Sequence, residues 1–174
     1  MVQSILIIML VVLVMTAIYT DLRWSRIPNW LTFPAMGFGV VVHAWLGGVD
    51  EALFSVAGLG TGLGLFFLIY LVGGIGAGDV KLMAAVGSFV GAYGALSCAC
   101  LAFIAGGVYA ISAMSYQWGL AATSKKLVFA TYGAFMTGGA TGAGDLQLPF
   151  KLRYGLAIAA GTLLFLAGIQ PFGG

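Results

Sequence analysis

The sequence predicts an all-α membrane protein, a polytopic bundle of about six transmembrane helices forming a single domain over residues 1–174. Three observations carry that expectation. The 174-residue chain is 61% hydrophobic and only 7% charged, with a mean hydropathy of +1.09. Its apolar residues fall in runs able to cross a ~30 Å hydrocarbon core at ~1.5 Å rise per residue. Its basic residues fall in alternate connections between those runs, as they do when one side of a membrane collects Lys and Arg.

The first span runs from about Val2 to Thr20. It exceeds a signal-peptide core, has no Lys or Arg ahead of it and no small-residue cleavage pattern after it, so it reads as a retained helix. The second span, about Asn29 to Leu46, opens at Ile27-Pro28-Asn29. The third, about Ala52 to Gly73, follows an acidic turn at Asp50-Glu51. The next apolar stretch is too long for one crossing. It is divided at Gly91-Ala92-Tyr93-Gly94 into spans of about Val80–Ala95 and Leu96–Trp118. The sixth span covers about Tyr154 to Ile169. The long connection before it mixes Lys125 and Lys126 with apolar residues, which suits a short helix on the membrane surface. It continues into a glycine-rich stretch, 137–144.

Arg23 and Arg26 lie in the first connection, Lys81 just past the third, and Lys125, Lys126, Lys151 and Arg153 in the fifth. All seven basic residues therefore share one side, expected to be the cytoplasm, with both termini outside the cytoplasmic membrane. Trp24, Trp30, Trp45 and Trp118 lie near the predicted interfaces as anchors. The 28 glycines suit close helix packing in lipid. A net charge of +2 is too small to argue for a nucleic-acid partner. Cys98 and Cys100 point to different helix faces and read as packing residues. His43 has no second His, Cys or Glu at ligand spacing, so neither a metal nor any other cofactor is expected.

The chemistry lies with two acids at span ends. Asp21 closes the first apolar run, and Asp79 ends the turn Gly73-Gly74-Ile75-Gly76-Ala77-Gly78-Asp79 and opens another. Ionisable groups at membrane depth are costly and mark function. Both acids fall on the same predicted side, as a pair of catalytic carboxylates requires. Such a pair shares one proton, one member activating water while the other donates to the substrate carbonyl. Gly76 and Gly78 are expected to leave room for an extended peptide beside Asp79. The plainer alternative is interfacial pairing, Asp21 with Arg23 or Arg26 and Asp79 with Lys81. Gly142-Ala143-Gly144-Asp145 repeats the tetrapeptide before Asp79 but opens no long helix, so Asp145 reads as a loop acid.

Three stretches resemble the type IV prepilin peptidases, membrane aspartic proteases of the Gly-x-Gly-Asp class. They are Asp21-Leu22-Arg23-Trp24-Ser25-Arg26-Ile27-Pro28-Asn29, then Gly76-Ala77-Gly78-Asp79-Val80-Lys81, and more weakly Leu148-Pro149-Phe150 followed by Tyr154-Gly155-Leu156. The resemblance implies that Asp21 and Asp79 are the catalytic pair, and that Gly76, Gly78, Lys81 and Asn29 meet the substrate. It implies removal of a basic leader from prepilin-like substrates, of Flp, tight-adherence or preflagellin type, at the cytoplasmic face. The cysteine-tetrad region linked to N-methylation in larger members has no counterpart here. Two other classes remain open at this stage. One is a small proton- or cation-coupled transporter or channel, and the other a non-catalytic pilus-assembly subunit.

Overall fold

The computed structural model describes residues 2–71, 75–118 and 154–171, and every regular element among them is a helix. These are α1 (Val2–Trp24), α2 (Asn29–Leu71), α3 (Ala77–Trp118) and α4 (Tyr154–Leu166). Three stretches, Ser4–Trp24, Asn29–Leu71 and Ala77–Ser112, are long and apolar enough to cross a membrane, and α4 is a shorter apolar helix. The connection at 119–153, with the expected surface helix, the glycine-rich stretch and Asp145, lies outside the described residues. The chain divides into two compact units, Met1–Gly106 with Arg153–Gly174, and Gly107–Leu152. Of the second unit, only the last turns of α3 are described.

A straight helix as long as α2, 43 residues, would measure about 65 Å, twice the hydrocarbon core. Glycines break it. In α2 the backbone leaves helical geometry at Gly47 (φ −137°, ψ 18°) and Gly48 (φ 67°, ψ −143°). In α3 it does so at Gly91 (φ 72°, ψ 178°). Gly48 and Gly91 occupy a region that residues with a Cβ avoid.

The helix limits can be compared with the expected boundaries. The turn in α2 lies at Gly47–Gly48, so Asp50 and Glu51 already belong to the following helix. Its opening turn favours acidic side chains through the helix dipole. The division of α3 falls at Gly91, the first residue of the expected break Gly91-Ala92-Tyr93-Gly94. The first helix continues past Thr20 to Trp24, which places Asp21 in its last turn.

Close contacts set the direction of each segment. Between the second half of α2 and the first half of α3, backbones meet directly. A Cβ on Gly58 would strike the Gly87 carbonyl, one on Gly87 the Gly58 carbonyl, and one on Gly62 the Met83 carbonyl. Further along, the Phe54 ring covers Gly91. Positions rise along one segment as they fall along the other, so the two run antiparallel with small residues at the seam. The first half of α2 runs parallel to α3, with Asn29 beside Lys81 and His43 beside Phe89. The later half of α3 is antiparallel to α4. A Cβ on Gly106 would lie 3.2 Å from the Tyr154 ring, one on Gly161 2.7 Å from the Cys98 carbonyl, and one on Gly94 3.3 Å from the Phe165 ring. Cys98 and Cys100 are both free thiols.

The break at Gly91 interrupts the i→i−4 ladder, and carbonyls just ahead of it need other donors. The Ser55 hydroxyl donates to the Ser88 carbonyl at 2.6 Å. His43 Nε2 reaches the Phe89 carbonyl at 3.3 Å, while its Nδ1 meets Glu51 Oε2 at 2.9 Å. One buried imidazole thus ties the break in α2 to the break in α3.

Gly91→Ala is expected to be strongly destabilising. The left-handed φ alone costs about 1–3 kcal/mol for a residue with a Cβ, and the new methyl meets the Phe54 ring. The check is thermal unfolding in detergent, with Gly60→Ala as the control, because a Cβ at Gly60 enters open space.

Candidate active site at one end of the bundle

The first acidic segment is built by the way α1 stops. Ser25 adopts φ 51° and its N–H bonds the Asp21 carbonyl at 2.9 Å. A left-handed residue at this position ends a helix. The chain then turns through Arg26-Ile27-Pro28, and α2 starts at Asn29, with the Pro28 carbonyl accepting the Leu31 N–H at 3.1 Å. Asp21 is buried, at 7% exposure, beside this corner.

The second segment is built by the way α3 starts. The Gly76 N–H donates to Asp79 Oδ2 at 3.0 Å. The Gly76 carbonyl accepts the N–H groups of Asp79 at 3.0 Å and Val80 at 3.4 Å. The Asp79 carboxylate therefore reaches back to its own helix cap, one half of a capping box. It also lies where the helix dipole favours an anion.

Two contacts fasten these segments together. A Cβ on Gly78 would lie 3.2 Å from Ile27 Cβ. Lys81 Nζ donates to Asn29 Oδ1 at 2.9 Å and lies 5.3 Å from the centre of the Phe33 ring. The start of α4 forms a third side. A Cβ on Gly155 would stand 2.8 Å from Asp21 Oδ2. The adjoining Tyr154 packs against α3, where a Cβ on Gly106 would lie 3.2 Å from its ring.

The sequence model of the type IV leader peptidase family matches residues 7–111, a stretch that holds both acidic segments. The chain belongs to the type IV leader peptidase family. It is similar to the prepilin leader peptidase/N-methyltransferase of Escherichia coli (strain K12), with 36% identity over 84 residues. That alignment covers 45% of this chain and 37% of the relative, little more than a third of its length. No solved structure matches the chain.

In this leader peptidase family member, Asp21 and Asp79 come to the same end of the bundle, with Asp21 against Gly155 of α4. Lys81 and Asn29 are bonded to one another. Gly76 is exposed and supplies the N–H that holds Asp79. Gly78 gives its space to Ile27 of the other segment, so its bare backbone serves the joint between the two stretches. Among the described residues no group of three His, Cys, Asp or Glu side chains could hold a metal ion. Gly155 was not among the expected site residues, although it stands in the third, weaker stretch, Tyr154-Gly155-Leu156. Only the packing of α4 against α1 reveals its neighbour.

The cap separates two roles of Asp79. Asp79→Asn retains a side-chain oxygen to accept from Gly76 and is expected to unfold within ~0.5 kcal/mol of wild type, whereas Asp79→Ala loses about 1 kcal/mol. Thermal unfolding in detergent reads the difference.

Proposed function

We propose that this protein is a membrane aspartic endopeptidase that removes the basic leader from prepilin-like substrates. The observation that supports this most strongly is that Asp21 and Asp79, from segments far apart in sequence, lie on two stretches joined at one end of the bundle. Membership of the leader peptidase family points the same way. In this reading the two carboxylates share a proton and titrate as a unit. One takes a proton from water as its oxygen attacks the scissile carbonyl carbon. The other gives its proton to the carbonyl oxygen. Collapse of the tetrahedral species breaks the C–N bond, and the amine leaves with a proton returned from the dyad.

The breaks at Gly47–Gly48 and Gly91 support a six-crossing bundle. Each divides a helix of double length into two segments of opposed direction. The aspartates then lie on the side that gathers all seven basic residues, taken as the cytoplasmic side of the inner membrane, with both termini on the other. The substrates are of the Flp, tight-adherence or preflagellin type, and Lys81 and Asn29 border the path by which the leader enters. Acids gathered at one end suit hydrolysis at an interface better than a path across the bilayer.

Asp21→Asn and Asp79→Asn are each expected to abolish leader cleavage while membrane insertion is retained. The double variant is expected to be no worse than either single one, because the pair acts as a unit. Asp145→Asn is expected to keep most activity. The assay is conversion of a leader-bearing prepilin in membranes, and substantial cleavage by either single variant would remove the aspartic mechanism. The orientation is tested separately. In a chain with Cys98 and Cys100 replaced, a membrane-impermeant maleimide is expected to label Asp50→Cys in intact cells. It is expected to label Lys125→Cys only after permeabilisation. The reverse pattern would place the aspartates on the wrong face.

A further inference from the structure

The opening turn of α4 has no part in the hydrolytic steps above, yet it touches the centre of the site. We propose that Gly155 is a positioning residue whose bare backbone lets the Asp21 carboxylate rest against the start of α4. This inference rests on the reading of Asp21 and Asp79 as a catalytic pair.

The spacing is the main evidence. A Cβ at residue 155 would lie 2.8 Å from Asp21 Oδ2, 3.2 Å from its Cγ and 3.4 Å from its Cβ. The whole carboxyl group therefore lies across the face of Gly155, and a single methyl would have to push it away. Electrostatics gives the contact a purpose. Asp21 stands in the last turn of α1, where helix carbonyls disfavour an anion. The opening turn of α4 offers the opposite end of a helix, with N–H groups that have no partner within it.

The turn itself is held in place. Tyr154 packs along α3 at Gly106, and Gly161 meets the α3 backbone at Ala102 and Cys98. Because Gly155 borders Asp21, this anchored turn serves as the reference that sets the Asp21 carboxylate within the pair. A misplacement of about 1 Å in such a pair can cost about 100-fold in rate.

The test reads the carboxylate directly. The chain has four aspartates, Asp21, Asp50, Asp79 and Asp145. Protein carrying ¹³C at aspartate carboxyls therefore gives few signals, assignable from Asp→Asn variants. In detergent, Gly155→Ala is expected to move the titration midpoint of Asp21 by roughly half a pH unit or more and to leave Asp50 in place. On a synthetic Lys-rich leader joined to an apolar segment, the same variant is expected to lose about 100-fold in kcat with KM little changed. Gly161→Ala perturbs packing on the same helix. It is expected to lower the thermal midpoint without moving the Asp21 titration.

An Asp21 titration identical in Gly155→Ala and wild type would overturn the proposal, as would an equal movement in Gly161→Ala. If Gly155→Ala does not fold, the unsubstituted protein still decides. Dephasing of the Asp21 carboxyl carbon by ¹⁵N of Gly155 in solid-state NMR is expected, and its absence would refute the contact. Cleavage by Asp21→Asn would remove the dyad while leaving these NMR outcomes readable, so the two failures are distinguishable.

Discussion

Direct contact between the backbones of α2 and α3 is the constraint on which the rest of the structure hangs. Gly58 and Gly87 occupy each other's missing side-chain space, and Gly62 lies on the Met83 carbonyl. In lipid there is no hydrophobic drive between helices, so association depends on close packing and polar contacts of this kind. The seam brings Ser55 to the Ser88 carbonyl and Phe54 over Gly91. It thereby stabilises the break that turns α3 back. A Cβ at Gly58 or Gly87 would separate the segments and leave the carbonyls ahead of Gly91 without their donors.

The candidate site is assembled from three sequence-distant pieces, each fixed by a different means. The first acidic segment is shaped by a helix stop at Ser25, the second by a helix cap at Gly76, and the third by packing of α4. Ile27 against Gly78 and Lys81 on Asn29 join the first two. Of these joints, only that of Lys81 on Asn29 is made by side chains alone. The carboxylates are consequently carried by backbone geometry, which is the more rigid support.

Much of this was legible in the sequence, for reasons that can be stated residue by residue. Apolar runs and breaks at glycine are one-dimensional signals, so the helical class and the approximate boundaries could be read. Asp21 and Asp79 stood out because acids are rare in such a chain. The exact turns were harder, because Asp50-Glu51 resembles a loop until Gly47 and Gly48 are seen to take the bend. The Ile27 neighbour of Gly78 could not be read from the sequence, because it comes from a segment some fifty residues away. The partner of His43 was hidden for a similar reason. Glu51 is eight residues away, about 12 Å along a straight helix, and only the break at Gly47–Gly48 brings it close.

That imidazole also shows how few atoms hold the two breaks in register. The Phe89 carbonyl can only accept, so in that contact Nε2 of His43 donates. On the other side of the same ring Nδ1 meets Glu51 Oε2. The chain's only histidine therefore spans both breaks with one rigid ring, and a shorter side chain there could keep one contact but not both.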